Sequence, residues 1–105
     1  MFIQPETQQQ RLNNFARFLC LVRGHQLSNI RWRKNGKTVF PNNCRIKVST
    51  NTTANKTVLI DLTITSVVRN DNGTYECEAF SELGNLTKKS NLLVLGMVFV
   101  NILLD

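Results

Sequence analysis

Two stretches of this chain alternate apolar and polar residues with a period of two, and each carries a cysteine on its apolar phase. Ala16, Phe18, Cys20 and Val22 form the first. The second, with Tyr75, Cys77 and Ala79, includes the end of the run Asp71-Asn72-Gly73-Thr74-Tyr75-Glu76-Cys77. Alternation at this period places one set of side chains on one face of a strand, so both cysteines are expected to point inward. The single tryptophan, Trp32, stands 12 positions after Cys20 and 45 before Cys77. The first interval holds one strand, a reversing loop and entry into the next; the second holds three strands and their turns.

The same patterning and the turn residues divide the whole chain. Residues 1–12 are polar and glutamine-rich, an edge strand at best. Strands are expected over 14–23 and 29–34, the latter ending at the turn Asn35-Gly36. A short strand at 37–40 and the turn Pro41-Asn42-Asn43 follow, then a strand over 45–49 and a polar loop over 50–56. Further strands cover 57–65, 74–80 and 88–95. The result is an all-β chain of seven or eight strands, with 42% apolar residues to fill one core.

These residues identify the chain as similar to the immunoglobulin superfamily, over residues 14–96. Cys20, Trp32 and Cys77 match its order, and Leu62, Ile64, Val67, Asp71, Gly73, Tyr75 and Cys77 match its most specific stretch. The resemblance implies a Greek-key β-sandwich of two antiparallel sheets, of the intermediate (I-set) type because the second interval is short for the extra hairpin of variable domains. It implies a Cys20–Cys77 disulfide between the sheets, covered by a structural core of Trp32, Leu62 and Tyr75, whose hydroxyl bonds backbone a few residues upstream. Closing that loop removes roughly 4 kcal/mol of unfolded-state entropy. It also implies a scaffold ion pair between Arg45 and Asp71. Ser81 departs from the asparagine common at its position.

Narrower strings, Trp32-Arg33-Lys34-Asn35-Gly36, Arg45-Ile46-Lys47 and the run from Tyr75 to Asn85, resemble the module of neuregulin-type growth-factor precursors. Ectodomains of receptor tyrosine kinases and neural adhesion molecules carry similar strings. The first resemblance implies heparan sulfate binding beside an epidermal-growth-factor-like module; the loop at 50–56 and the third cysteine, Cys44, depart from the pattern. Cys44 has three readings: a partly buried thiol, an intermolecular bridge, or a bond to a domain outside this chain.

The ends fit the sandwich least well. Residues 1–6 carry neither the basic cap nor the apolar stretch of a secretory leader, so a fragment is expected. Residues 92–104 are apolar but too short to span a membrane, which takes about 20 residues. Residues 97–105 are left as an apolar tail that prolongs the last strand, begins a truncated anchor, or is non-native sequence.

Four acceptor sequons, at Asn51, Asn55, Asn72 and Asn85, are about twice what random placement of these residues gives. The first two are expected in the loop at 50–56, the others at a strand corner and a hairpin, where a sugar stays in solvent. They favour an extracellular location. Thirteen basic residues against seven acidic give a net charge of +6, which favours acidic partners. Nucleic acid is not expected, because the aromatics are mostly assigned inward and no groove-reading helix or zinc module is present. A ligand surface is expected at Arg31, Arg33, Lys34 and Lys37, for a protein partner or a sulfated glycosaminoglycan. Glu76 and Glu78 share the outward face of Arg31 and Arg33 and are expected to neutralise them in part.

Catalysis has no support in the chain. The only histidine, His25, has no nucleophile or orienting carboxylate beside it, no cysteine pair has zinc spacing, and no phosphate loop precedes a helix. No enzyme activity, metal, cofactor or membrane insertion is expected. The expected function is extracellular recognition in an adhesion or signalling protein; the alternative is an intracellular structural domain of a muscle-type, titin-like array.

Overall fold

A computed structural model describes residues 1–23, 27–41, 45–52 and 56–96. His25, Cys44, Asn55 and the tail at 97–105 lie outside the described residues. Nine strands form: β1 Phe2–Gln4, β2 Thr7–Arg11, β3 Ala16–Arg23, β4 Leu27–Lys34, β5 Lys37–Thr38, β6 Ile46–Thr52, β7 Thr57–Ile64, β8 Gly73–Ser81 and β9 Gly84–Leu95. They pair into a four-stranded sheet, β1-β3-β7-β6, and a five-stranded sheet, β2-β9-β8-β4-β5. This is the two-sheet sandwich that the resemblance implied. Its single short β5 beyond the constant-type pattern agrees with the intermediate type.

The extra strand comes from the N-terminus. Where the sequence suggested one marginal edge strand, β1 pairs antiparallel with β3 and β2 pairs parallel with β9. Pro5 lies between them and has no N–H to give a ladder, so the chain leaves one sheet there and joins the other. Among the described residues the β2–β9 pair is the one parallel pairing in sheets otherwise antiparallel.

Three boundaries also move. β6 runs on to Thr52, through residues assigned to a polar loop, because β7 offers register partners as far as Val58. β9 starts at Gly84 rather than near Lys88, since a two-residue turn at Glu82-Leu83 sets Ser81 opposite Gly84. β4 begins two residues early, with a register shift between Leu27 and Asn29. The Asn35-Gly36 turn forms as expected, with positive φ at both residues, the conformation asparagine and glycine tolerate best.

β3 buries every second residue, Ala16, Phe18, Cys20 and Val22, as its alternation demands. Ile60, Leu62 and Ile64 of β7 complete the inner face of the first sheet, and Trp32, Tyr75, Cys77 and Ala79 that of the second. Cys20 and Cys77 are bridged across the two layers. Phe18 stacks on Tyr75 with ring centroids 4.9 Å apart and lies 6.0 Å from Trp32. Burying Phe18 alone stabilises the fold by about 2–3 kcal/mol. Three other phenylalanines are exposed: Phe2 points out from an edge strand, while Phe15 and Phe40 lie in connections.

Candidate functional site

The corner between β7 and β8 holds a buried carboxylate, Asp71, in a network of polar contacts. A single 3₁₀ turn, Arg69–Asp71, reverses the chain there. Asp71, 4% exposed, accepts from Arg45 Nη1 at 2.7 Å and Nη2 at 3.3 Å, and from the Val68 N–H at 2.7 Å. Its backbone carbonyl takes the Tyr75 hydroxyl at 2.6 Å. Arg45 Nη1 also reaches the Ser66 carbonyl at 2.9 Å. The hydrogen bond to Asp71 raises the Arg45 guanidinium above its ordinary value. Burial pushes the Tyr75 phenol up, Asp71 adds to the shift, and Arg45 offsets it in part.

Gly73 opens β8 where a Cβ would meet the Asn35 side chain at 2.8 Å. Asn35 uses that proximity to accept from the Thr74 N–H at 3.0 Å, joining the β4–β5 turn to the corner. The Arg45, Asp71, Tyr75 and Asn35 side chains are thus engaged in scaffold contacts.

The four cations assigned to a ligand surface are not one cluster. Register sets Arg31 opposite Glu78 and Arg33 opposite Glu76, on the outward face of the second sheet. Arg31 Nη2 lies 2.9 Å from Glu78, and Arg33 Nη1 lies 3.6 Å from Glu76 and 3.7 Å from Glu78. Arg31 also covers the Phe80 ring at 5.2 Å. Lys34 belongs to the opposite phase of the pleat: it pairs with Tyr75, stands 6.0 Å from that ring and donates to the Asn70 carbonyl. Lys37 pairs with Lys34 from β5 and is exposed. A one-residue step in a strand changes the face, so a run of basic residues is divided by the pleat.

What the outward face presents is therefore a ladder of alternating charge, Arg31, Glu78, Arg33 and Glu76, with Lys89 of β9 opposite Glu76. Glu78 is buried beneath the two arginines. The sequence pointed to this neutralisation. It did not single out a second pair, Arg17 Nη2 to Asp61 at 2.6 Å on the outer face of the first sheet. Outward phases on adjacent strands were the available signal.

The sequon asparagines fall in different settings. Asn51 is exposed in β6 rather than in a loop, opposite Leu59. Asn85 is exposed near the start of β9, opposite Phe80. Asn72 is exposed at the end of the 3₁₀ turn, where its Oδ1 accepts from the Val94 N–H at 2.9 Å. Among the described residues no group of histidine, cysteine or carboxylate side chains could hold a metal, and no helix is long and apolar enough to cross a membrane.

A family model described as an immunoglobulin domain matches residues 1–80. Over 81 residues the chain is 36% identical to the cell adhesion molecule Dscam1 of Drosophila melanogaster, covering 77% of this chain and 4% of that protein. It is 32% identical to the netrin receptor DCC of Rattus norvegicus over 77 residues, 73% of this chain and 5% of the receptor. A titin homolog of Caenorhabditis elegans is 30% identical over 95 residues, 90% of this chain and, to the nearest per cent, 0% of that protein. The chain thus spans a small fraction of the curated relatives it matches. Among solved structures, the eight N-terminal Ig domains of Down Syndrome Cell Adhesion Molecule superpose with a TM-score of 0.80 at 31% identity, covering 90% of this chain and 14% of that one. A chain in the complex of Dpr2 Ig1-Ig2 with DIP-Theta Ig1-Ig3 gives 0.81 at 23% identity, over 90% of this chain and 31% of that one, a likeness of fold.

Proposed function

This chain belongs to the immunoglobulin domain family, and from that premise we propose that it is a non-catalytic, extracellular recognition module that offers the outward face of its second sheet to a protein partner. The charge ladder on that face carries the reading. Arg31, Glu78, Arg33 and Glu76 are held at set register positions on a rigid sheet, and alternating charge of that kind selects a partner with the complementary order. Likeness to the cell adhesion molecule Dscam1 and the netrin receptor DCC supports a cell-surface parent. The Cys20–Cys77 bridge fits an oxidising compartment.

A sulfated glycan is the weaker partner, because Arg31 and Arg33 already have carboxylates beside them. The competing role, a structural domain of an intracellular titin-like array, draws on the 30% identity to the titin homolog along 90% of the chain. Intact mass after expression in a secretory host, with and without glycosidase and reductant, separates the two. Sugar on the sequons and one protected disulfide are expected. Unmodified asparagines with every thiol free would leave the intracellular role. For the face itself, tetramers of the domain applied to an array of displayed ectodomains are expected to lose their hits when Arg31 and Glu78 are exchanged for each other's charge. Unchanged hits would move the site elsewhere.

A further inference from the structure

Among the described residues the two longest open strand edges each contain a sequon, and we propose that N-linked glycans on Asn51 and Asn85 cap those edges and keep the domain from pairing strand to strand. The proposal rests on the extracellular reading above.

An open edge displays unpaired backbone N–H and C=O groups, and a second chain needs only to approach to about 4.8 Å to continue the sheet. β6 is the seven-residue outer strand of the first sheet. In the second sheet β2 covers β9 only over Asn91 to Leu95, so residues 84–90 of β9 have no further strand beside them among the described residues. The next longest is the stretch Leu27 to Trp32 of β4, which β5 leaves uncovered and which carries the charge of Arg31; the other edges are guarded otherwise. β1 and β5 are three and two residues long, and in β2 the Gln8 side chain reaches the Arg17 carbonyl at 3.1 Å, tying that edge to the body.

Charge protects only part of each long edge. Lys47 stands early in β6, but Ser49, Thr50, Asn51 and Thr52 are uncharged and exposed, and the two threonines are good strand formers. Lys88 and Lys89 guard the later part of the open β9 segment, while Asn85, Leu86 and Thr87 are uncharged and Leu86 is 53% exposed. Both sequons fall in the uncharged stretches. Asn51 has a further reason to carry sugar: register aligns it with Leu59, Leu21 and Phe2 across the outer face of the first sheet. Leu21 and Phe2 are 40% and 54% exposed, an apolar row that a sugar extending from Asn51 would cover. Asn72, by contrast, lies off these edges and its amide oxygen serves the fold through Val94.

The modification is a transfer from a polyprenyl-diphosphate-linked oligosaccharide. The side-chain amide nitrogen forms a bond to the sugar C1, the C1–O bond to diphosphate breaks, and the amide proton leaves with the polyprenyl diphosphate. No oxidation is involved.

The test is glycopeptide mapping of this chain from a secretory host, followed by light scattering across a concentration series. Non-reducing gels set aside any dimer linked through Cys44. Asn51 and Asn85 are expected to be occupied. The Asn51→Gln/Asn85→Gln double variant is expected to shift from monomer to dimer and larger, and Asn51→Lys/Asn85→Lys to return it to monomer, while Asn72→Gln stays monomeric. If the double variant does not fold, trimming the folded glycoprotein to its first sugar with an endoglycosidase must raise the associated fraction. Sugar at Asn55 or Asn72 with Asn51 or Asn85 bare, or a double variant that stays monomeric, overturns the capping role and leaves the extracellular reading intact. No sugar at any sequon overturns both.

Discussion

Two ion-pair systems lie within a few residues of each other and do opposite work. At the β7–β8 corner Arg45 and Asp71 are enclosed and meshed with backbone: the carboxylate caps a turn through Val68, its carbonyl takes the Tyr75 hydroxyl, and the guanidinium reaches Ser66. On the outward face of the second sheet Arg31, Arg33, Glu76 and Glu78 meet side chain to side chain across two strands. Removing a partner from the first strands a buried charge and frees backbone groups. In the second Glu78 is buried too, but it lies beside both Arg31 and Arg33, so losing one arginine leaves it the other. The same residue types thus hold the fold together in one place and shape a surface in the other.

The largest effect should come from the interior that both systems share. Replacing Cys20 and Cys77 together by alanine is expected to cost about 2–5 kcal/mol in urea unfolding and to leave the domain barely folded at body temperature. An undiminished midpoint would mean that the bridge is not what the core depends on. Asp71→Asn comes next, at about 2–4 kcal/mol, because Arg45 loses its counter-charge and an NH2 replaces one of the two oxygens that accept from its guanidinium. A cost as small as that of a surface pair would erase the contrast between the two systems.

Tyr75→Phe is expected to cost about 1 kcal/mol at neutral pH through the lost bond to Asp71. It should also change the alkaline limb. Because burial raises the folded phenol above its unfolded value of about 10, the folded state holds its proton where the unfolded state releases it. Tyr75 therefore stabilises fully below that pH, and the contribution fades as pH climbs above it. Thermal melts from pH 8 to 11 should flatten in the phenylalanine variant; identical slopes would place the alkaline dependence elsewhere.

The smallest effect belongs to the ladder. A double-mutant cycle of Arg31→Ala with Glu78→Ala is expected to give a coupling of about 1 kcal/mol or less, shrinking in high salt. A coupling several times larger would make the ladder a second scaffold. Heparin elution sharpens the same point. Changing Arg31, Arg33 and Lys37 to alanine should shift the salt needed only slightly, whereas a steep loss would assign the face to sulfated glycans.

The corner was legible in the chain because its residues are near one another in sequence: the run from Asp71 to Cys77 holds the turn, the glycine and the tyrosine. Arg45 could be paired with Asp71 only through the family resemblance. The ladder was half legible, since outward phases of 29–34 and 74–80 could be compared while their register could not. Lys34 was misplaced with Arg31 and Arg33 because proximity along a strand does not mean a shared face. The split N-terminal strand was missed because Thr7-Gln8-Gln9-Gln10 has no apolar alternation to mark a strand; its pairing comes from backbone bonds to β9.

By itself the sequence determined the all-β class and the core, because alternation of period two leaves few ways to bury 42% apolar residues, while the covalent tie followed from the family resemblance. Tertiary structure alone decided which charges meet, which strand edges stay open and which sequons lie on those edges. Those are properties of register between strands far apart in the chain, and no local pattern encodes how far one strand slides along another.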